Sequence, residues 1–513
     1  MPFLAFVWPS VLPALLVLAS LPATRVQAGG VEACDRLLDV ALAEATVVDA
    51  QWRAAGPFEP PAGDAVDVGA DFCRVSVVAR PTSDSEIGIE VWLPEARDWN
   101  GRLWGWGTSG FGGSIATASL GDAVGRGYAT VATDGGHRGR GTDWALGRPE
   151  KVVDLGHRAV HLAAVHARAL VGAHYGEPPR HAYFSGFSTG GTQGLRLAQR
   201  YPDDYDGIVA GGADQDWTGL YLWLAQLQYV ELADPARHVS PAQLAALAEA
   251  AVAVCGDPDG VVRSPDRCAV EAVLGAYEPT EAAPALTASQ LGYLRRLYAG
   301  PPDPTGDPLP AGYAPGSEAG WDGVHFGPAP GEGSWVAGYL TAFFRNLAFG
   351  DSTWSPDAFQ LDRDAARTRA ALADALDATD PDLGRFAERG GKLIVWHGWA
   401  DPLVPPGFTL RYVERVEEAL GADAAAAAVR LFLVPGVGHT AGETHRRLSD
   451  ALERWVEPGA APVEVSASGA DDDTPEAASP LCAWPRVAGL REAEASRSDV
   501  ALECARPNEP RTP

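Results

Sequence analysis

Tyr183-Phe184-Ser185-Gly186-Phe187-Ser188-Thr189-Gly190-Gly191 contains the pattern Gly-x-Ser-x-Gly, from Gly186 to Gly190. An apolar run, His181 to Ser185, precedes it, and a helix-like stretch from about Thr192 to Tyr201 follows. The motif alone recurs by chance, but the strand-turn-helix context gives it a mechanical meaning. A sharp turn from strand to helix strains the serine backbone and exposes its hydroxyl. Side chains at the flanking positions would clash, hence the glycines. The helix N-terminus then faces the oxyanion formed when the serine attacks a carbonyl. Ser188 is the candidate nucleophile, with the bulky Phe187 beside it.

A serine nucleophile needs a base, and the base needs an orienting carboxylate. Downstream, Trp396-His397-Gly398-Trp399-Ala400-Asp401-Pro402 places Asp401 in a turn after a buried strand. Val434-Pro435-Gly436-Val437-Gly438-His439 then places His439 in a Gly-rich loop after the next strand. The order Ser, Asp, His suits an α/β hydrolase, and loops at the carboxyl ends of strands are where such sheets bind ligands. His397 reads as a hydrogen-bonding support for its turn, and His445, on a following helix, as a surface residue. The oxyanion would be held by the N–H of Thr189 and one from the loop Gly107-Thr108-Ser109-Gly110-Phe111-Gly112-Gly113, with Gly110 and Phe111 as candidates.

Outward from this centre, strand-like and helix-like text alternates. Strands are expected at Cys73–Ala79, Ile87–Leu93, Arg102–Gly107, Tyr128–Thr133 and Gly207–Ala210, with a long helix from Val153 to Tyr175. This alternation predicts an α/β fold with a parallel sheet. Residues 29 to about 70 read as an irregular or helical arm. Residues 217–385 are helical segments broken by Pro/Gly-rich loops and read as an inserted lid domain. They split the α/β domain into residues 29–216 and 386–513. The α/β text resumes at Lys392–His397, with a helix at Phe408–Leu420 and a strand at Val429–Val434. Residues 467–480 are acidic and Ala/Ser/Pro-rich, the composition of a mobile loop.

The chain has 513 residues and a formal net charge of −27. Such a surface repels phosphate backbones and anionic lipid heads, so nucleic acid is excluded as a natural partner. The N-terminus carries an apolar run to Leu21 and then Val26-Gln27-Ala28, which reads as a signal peptide cut after Ala28. The protein is then secreted or periplasmic and leaves the membrane on cleavage. No later apolar run reads as long enough to span a bilayer. The six cysteines, Cys34, Cys73, Cys255, Cys268, Cys482 and Cys504, are an even number in an export context, so disulfides are expected. Six cysteines allow about 15 pairings, and no spacing among them suggests zinc. No redox or nucleotide cofactor is implied.

Taken together, the sequence resembles the tannase and feruloyl esterase family, which also contains mono(hydroxyethyl) terephthalate hydrolases. The resemblance runs from about Cys34 to Cys504. It is carried by Glu90-Val91-Trp92-Leu93-Pro94 with Trp99-Asn100-Gly101-Arg102, by Thr133-Asp134-Gly135-Gly136-His137, and by Trp144-Ala145-Leu146-Gly147. Further markers are Gln193-Gly194-Leu195, Ala198-Gln199-Arg200-Tyr201-Pro202, Asp206-Gly207-Ile208-Val209-Ala210-Gly211, Tyr313-Ala314-Pro315-Gly316-Ser317-Glu318 and His397-Gly398-Trp399-Ala400-Asp401-Pro402. It implies an α/β-hydrolase fold with a large lid before the triad aspartate, and hydrolysis of esters of gallic, ferulic or terephthalic type acids. It places the triad on Ser188, Asp401 and His439, and the disulfides on Cys34–Cys73, Cys255–Cys268 and Cys482–Cys504. It also implies that the lid shapes the acyl pocket, with Phe187, Trp321 and His325 as candidate substrate contacts.

Two departures stand out. The family usually joins a cysteine just before the nucleophile to one just after the histidine; here these positions are Phe187 and Thr440. The family also carries a calcium loop between two lid cysteines. Here it reads Cys255-Gly256-Asp257-Pro258-Asp259-Gly260-Val261-Val262, where Asp257, Asp259 and the Val261 carbonyl are the remaining candidate ligands. Calcium takes about 6–8 oxygens, so retention of the ion and a plain disulfide-clamped turn both stay open. For function, the alternatives to an aromatic esterase are an acyltransferase, an esterase or lactonase on a non-aromatic substrate, and a non-catalytic secreted binding protein. The oligomeric state has no sequence signal.

Overall fold

A computed structural model describes residues 30–60, 65–301, 312–457, 459–466, 479–490 and 502–506. The leader through Ala28 and most of the acidic segment 467–480 lie outside the described residues. The main sheet has nine strands: β1 (Ala45–Arg53), β2 (Phe72–Ala79), β3 (Ile87–Pro94), β4 (Arg102–Trp106), β5 (Ala129–Thr133), β6 (His181–Phe187), β7 (Gly207–Gly211), β8 (Lys392–Gly398) and β9 (Val429–Val434). Their spatial order is β1-β2-β3-β5-β4-β6-β7-β8-β9. The first three strands and β5 pair antiparallel, and the remainder run parallel from β5 to β9. Parallel strands are buried on both faces, which explains why β6, β7 and β8 read as continuous apolar runs rather than alternating ones.

The expected N-terminal arm holds a nine-residue strand, β1, antiparallel to β2. Its register slips between Val47 and Asp49, a bulge that breaks the period of two on which strand recognition depends. The Cys34–Cys73 disulfide ties the helix before β1 to the start of β2. The other two bridges are Cys255–Cys268 and Cys482–Cys504, the pairing the resemblance implied.

The helices that position the site are α1 (Ala159–Tyr175), α2 (Thr189–Arg200), α3 (Trp217–Ala225), α4 (Pro241–Cys255), α5 (Ala288–Ala299), α6 (Trp335–Ala342), α7 (Pro406–Leu420) and α8 (Gly442–Val456). Between β7 and β8 the described residues are helices and loops, from α3 through α6 and beyond. Both α4 and α5 open with reciprocal capping boxes, Ser240/Gln243 and Thr287/Gln290, which satisfy first-turn N–H groups. This helical segment has its own core of Trp217, Leu220, Tyr293, Trp321, Phe326 and Phe343.

One segment of it, Pro235–Cys255, does match a membrane span in length and composition, contrary to the sequence expectation. It packs Leu244, Leu247 and Ala251 into the core of the helical segment.

Candidate active site

Strand β6 ends at Phe187, and α2 begins at Thr189, so Ser188 alone makes the turn. Its φ of 57° puts it in the left-handed region, which costs on the order of 1–3 kcal/mol for a residue with a side chain. The turn is held by Ser188 N–H donating to the Gly211 carbonyl at 2.9 Å. The flanking glycines are required sterically. A Cβ on Gly186 would fall 2.0 Å from the Gly190 carbonyl oxygen, and one on Gly190 would fall 2.8 Å from that of Thr108.

The loops after β8 and β9 bring the partners in. His439 Nε2 lies 3.0 Å from Ser188 Oγ, and His439 Nδ1 lies 2.6 Å from Asp401 Oδ2. Asp401 is fully buried, and its other oxygen accepts from the backbone N–H groups of Leu403 (2.8 Å) and Val404 (3.0 Å). Burial alone would raise this carboxyl. The charges and hydrogen bonds of His439 and His397 outweigh it and hold Asp401 well below the usual carboxylate range. His397 Nε2 reaches both Asp401 Oδ2 (3.1 Å) and the Val404 carbonyl (3.0 Å), and its Nδ1 meets Thr409 Oγ1 at 2.7 Å. Two acceptors at Nε2 require a proton there. His397 therefore braces the turn that carries the carboxylate, as the sequence suggested.

His445 is a correction. It is buried rather than on the surface, and its Nδ1 accepts from Trp396 Nε1 at 3.0 Å. Helix α8 folds back under the sheet, so the face carrying His445 points inward. Burial pushes the ring down to about 4, so it stays neutral. Phe187 fills the space between these groups. Its ring centroid lies 4.9 Å from that of His439, 5.4 Å from Trp396 and 6.4 Å from His445.

A cavity of about 350 Å³ opens onto Ser188. Its walls include Phe187 and Thr440 from the α/β domain and Tyr221, Leu224, Trp335, Tyr339 and Leu340 from the helical segment. Of the two loop candidates for the oxyanion, Gly110 borders this cavity, together with Ser109, and Phe111 does not. Phe111 is buried in the wall, with its ring stacked on Tyr339 at 4.2 Å. Thr189 Oγ1 donates to the Gly110 carbonyl at 2.6 Å, which ties this loop to the elbow. Thr189 also opens α2, so its N–H has no acceptor within the helix.

Trp321 and His325, expected at the substrate, are instead fully buried in the core of the helical segment. His325 Nε2 meets the Pro402 carbonyl at 2.7 Å, clamping that core to the loop of Asp401. The cavity residues that sequence reasoning missed are Tyr221, Trp335 and Tyr339. Trp335 and Tyr339 sit one helical turn apart with rings stacked at 5.0 Å, and Trp335 is 52% exposed. Aromatic residues at i and i+4 after the helix-capping Ser334 were the available signal.

The loop of the candidate calcium ligands does not fit the ion. The Arg263 guanidinium bonds Asp257 at 3.0 Å and also grips both oxygens of Asp259. The Val261 carbonyl accepts from Asp257 N–H at 3.0 Å. An arginine thus neutralises the carboxylates that a cation would need. Among the described residues no cluster of His, Cys, Asp or Glu has the makeup of a metal site.

The sequence profile of the family described as "Tannase and feruloyl esterase" matches residues 73–505. An uncharacterized esterase of Xanthomonas campestris is 35% identical, covering 96% of this chain and 95% of its own. Feruloyl esterase B of Aspergillus niger is 29% identical over 73% of this chain and 72% of its own. Among solved structures, feruloyl esterase B from Aspergillus oryzae superposes with a TM-score of 0.82 at 24% identity, covering 93% of this chain and all of its own. Tannin acyl hydrolase from Aspergillus niger superposes at 0.74 and 22% identity, over 92% of this chain and 95% of its own. These two likenesses establish the α/β-hydrolase fold. With the family profile spanning most of its length, the chain belongs to the tannase and feruloyl esterase family and is a carboxylic ester hydrolase.

Proposed function

We propose that the chain hydrolyses esters of aromatic carboxylic acids through an acyl-enzyme on Ser188. His439 takes the Ser188 proton as Oγ attacks the ester carbonyl. The N–H groups of Thr189 and Gly110 hold the oxyanion. The carbonyl re-forms, the C–O bond to the alcohol breaks, and the alcohol leaves with the proton from His439. Water, deprotonated by His439, then attacks the acyl-enzyme and frees the acid. Asp401 fixes the His439 tautomer and stabilises its cationic form, and His397 positions Asp401.

The observation that carries the substrate class is the cavity. At about 350 Å³ it lies at the small end of ligand pockets and is walled by Tyr221, Trp335, Tyr339 and Phe187. Flat rings suit it, and the helical segment that supplies three of these four aromatics acts as the lid. The names of the Aspergillus relatives, feruloyl esterase and tannin acyl hydrolase, agree with an aromatic acyl group. We further propose a secreted or periplasmic location, supported by the apolar leader and the three disulfides.

The test is release of free acid by the purified protein from methyl gallate, methyl ferulate, a hydroxyethyl terephthalate monoester and a short aliphatic ester. Faster turnover of an aromatic ester than of the aliphatic one is expected. A clear preference for the aliphatic ester would overturn the substrate class.

A further inference from the structure

Gln193 lies on α2, one helical turn after Thr189, and is 1% exposed. Its amide holds the loop 107–113 at Thr108. Oε1 accepts from Thr108 N–H at 2.9 Å, and Nε2 donates to Thr108 Oγ1 at 2.9 Å and to the Leu155 carbonyl at 2.7 Å. A backbone N–H on one side and a carbonyl on the other fix which end of the amide is oxygen. Further along the loop, the Gly110 carbonyl accepts from Thr189 Oγ1. Residues four apart share a helix face, so Thr189 and Gln193 grip alternate residues of one loop from one side of α2. The backbones touch between these grips: a Cβ on Gly107 would fall 2.5 Å from Gly190 Cα. The far end is pinned at Gly113, whose N–H donates to the Asp134 carbonyl at 2.8 Å and whose carbonyl accepts from Gly139 N–H at 3.0 Å.

We propose that the Gln193 amide and the Thr189 hydroxyl form a double clamp that positions the Gly110 N–H for the oxyanion, with Gln193 as a positioning residue of the reaction. This rests on the Ser188 mechanism above, in which the Thr189 and Gly110 N–H groups are the donors. One donor belongs to α2 and the other to a separate loop, so neither element alone fixes the distance between them. The clamp carries the loop on the same helix that follows Ser188 and makes the nucleophile and both donors parts of one body. Such preorganisation acts on the transition state, where the carbonyl oxygen gains charge, and little on the neutral ester. The residue type follows from the partners. Gln193→Glu keeps an acceptor for Thr108 N–H but sets a carboxylate oxygen against the Leu155 carbonyl. Gln193→Met is close in size and takes the acceptor away from a Thr108 that is itself buried.

The experiment measures kcat and KM on the ester that wild type turns over best, for Gln193→Glu, Gln193→Met, Thr189→Val and Thr189→Ser, with thermal melts to confirm folding. Phenylboronic acid, which adds to a serine hydroxyl as a charged tetrahedral adduct, is the inhibitor. Deleting an oxyanion donor outright costs about 10²–10³ in kcat, so loosening one should cost about 10- to 100-fold. Both Gln193 variants and Thr189→Val are expected to lose kcat by this factor with KM within about twofold of wild type, a split that a general loss of the pocket would not produce. Phenylboronic acid should bind them more weakly in step with kcat. Thr189→Ser keeps the hydroxyl and should retain most of kcat. Wild-type kcat in a folded Gln193 variant, a loss confined to KM, or unchanged affinity for phenylboronic acid would overturn the inference, as would equal losses in Thr189→Val and Thr189→Ser. If both Gln193 variants melt below the assay temperature, the Thr189 pair decides it. A wild type that hydrolyses no ester, or turnover that survives in Ser188→Ala, would overturn the esterase mechanism itself.

Discussion

The Phe187 ring packs against the His439 imidazole with centroids 4.9 Å apart, beside the Ser188 that it precedes in sequence. At positions 187 and 440, where the resemblance alone implies a disulfide, the chain instead has a tilted aromatic contact and an exposed Thr440. Packing restrains the base less firmly than a covalent bridge, but it also lines the cavity. Phe187→Ala should remove one wall of the histidine and part of the core with Trp396. The expected result is a kcat lower by about tenfold and a stability loss of about 2 kcal/mol, below the value for a fully buried ring. Steady-state kinetics with a thermal melt checks this. Unchanged kcat would show that the ring does not hold the base.

His397 and His439 share one oxygen of Asp401. His397→Ala should leave the triad in place but let the Asp401 turn relax. A loss of about 10- to 100-fold in kcat is expected, against a far larger loss for His439→Ala. Equal losses in the two variants would mean that His397 acts as a base and not as a support.

Glu318 is fully buried in the helical segment, where Tyr298 donates to it at 2.6 Å and Gly316 N–H at 2.8 Å. Burial outweighs these bonds and pushes its carboxyl up to about 7, from an ordinary 4.5. A raised acid contributes stability that is fully present below 4.5 and is lost as pH rises through about 7. The swing is on the order of 3 kcal/mol. Melting temperature measured from pH 4.5 to 8 should therefore fall less steeply in Glu318→Gln than in wild type. Parallel curves would remove Glu318 as the source.

Arg263 takes the place a cation would hold between Asp257 and Asp259. A chelator should leave the melting temperature and the esterase activity of wild type unchanged, whereas Arg263→Ala should lower the melting temperature by leaving two carboxylates facing each other. A drop in wild-type melting temperature on chelation, restored by calcium, would contradict this.

The sequence made the chemistry more legible than its surroundings. The elbow at Ser188, the turn at Asp401 and the loop at His439 are local features, written in glycines and short apolar strands, and the structure assembles them at 2.6 and 3.0 Å. Strand β9 matches its expected bounds for the same reason. What depends on distant packing was not legible. Trp321 and His325 carry binding-type side chains, yet the helices around them close over both. His445 lies on a charged-looking helix whose inner face only the sheet defines. Strand β1 is hidden from the pattern by its bulge, and Arg263 lies just beyond the loop 255–262 read as candidate calcium ligands.

The most direct measurement is Ser188→Ala beside wild type, on the aromatic ester that wild type turns over best. Quenched samples are examined by peptide mass for an acyl adduct. Turnover should fall by about 10⁴-fold or more, and an adduct of the acyl mass should appear on the wild-type peptide holding Ser188 and be absent from the variant. Turnover that survives in Ser188→Ala, or an adduct on another residue, would contradict the assignment of Ser188 as the nucleophile.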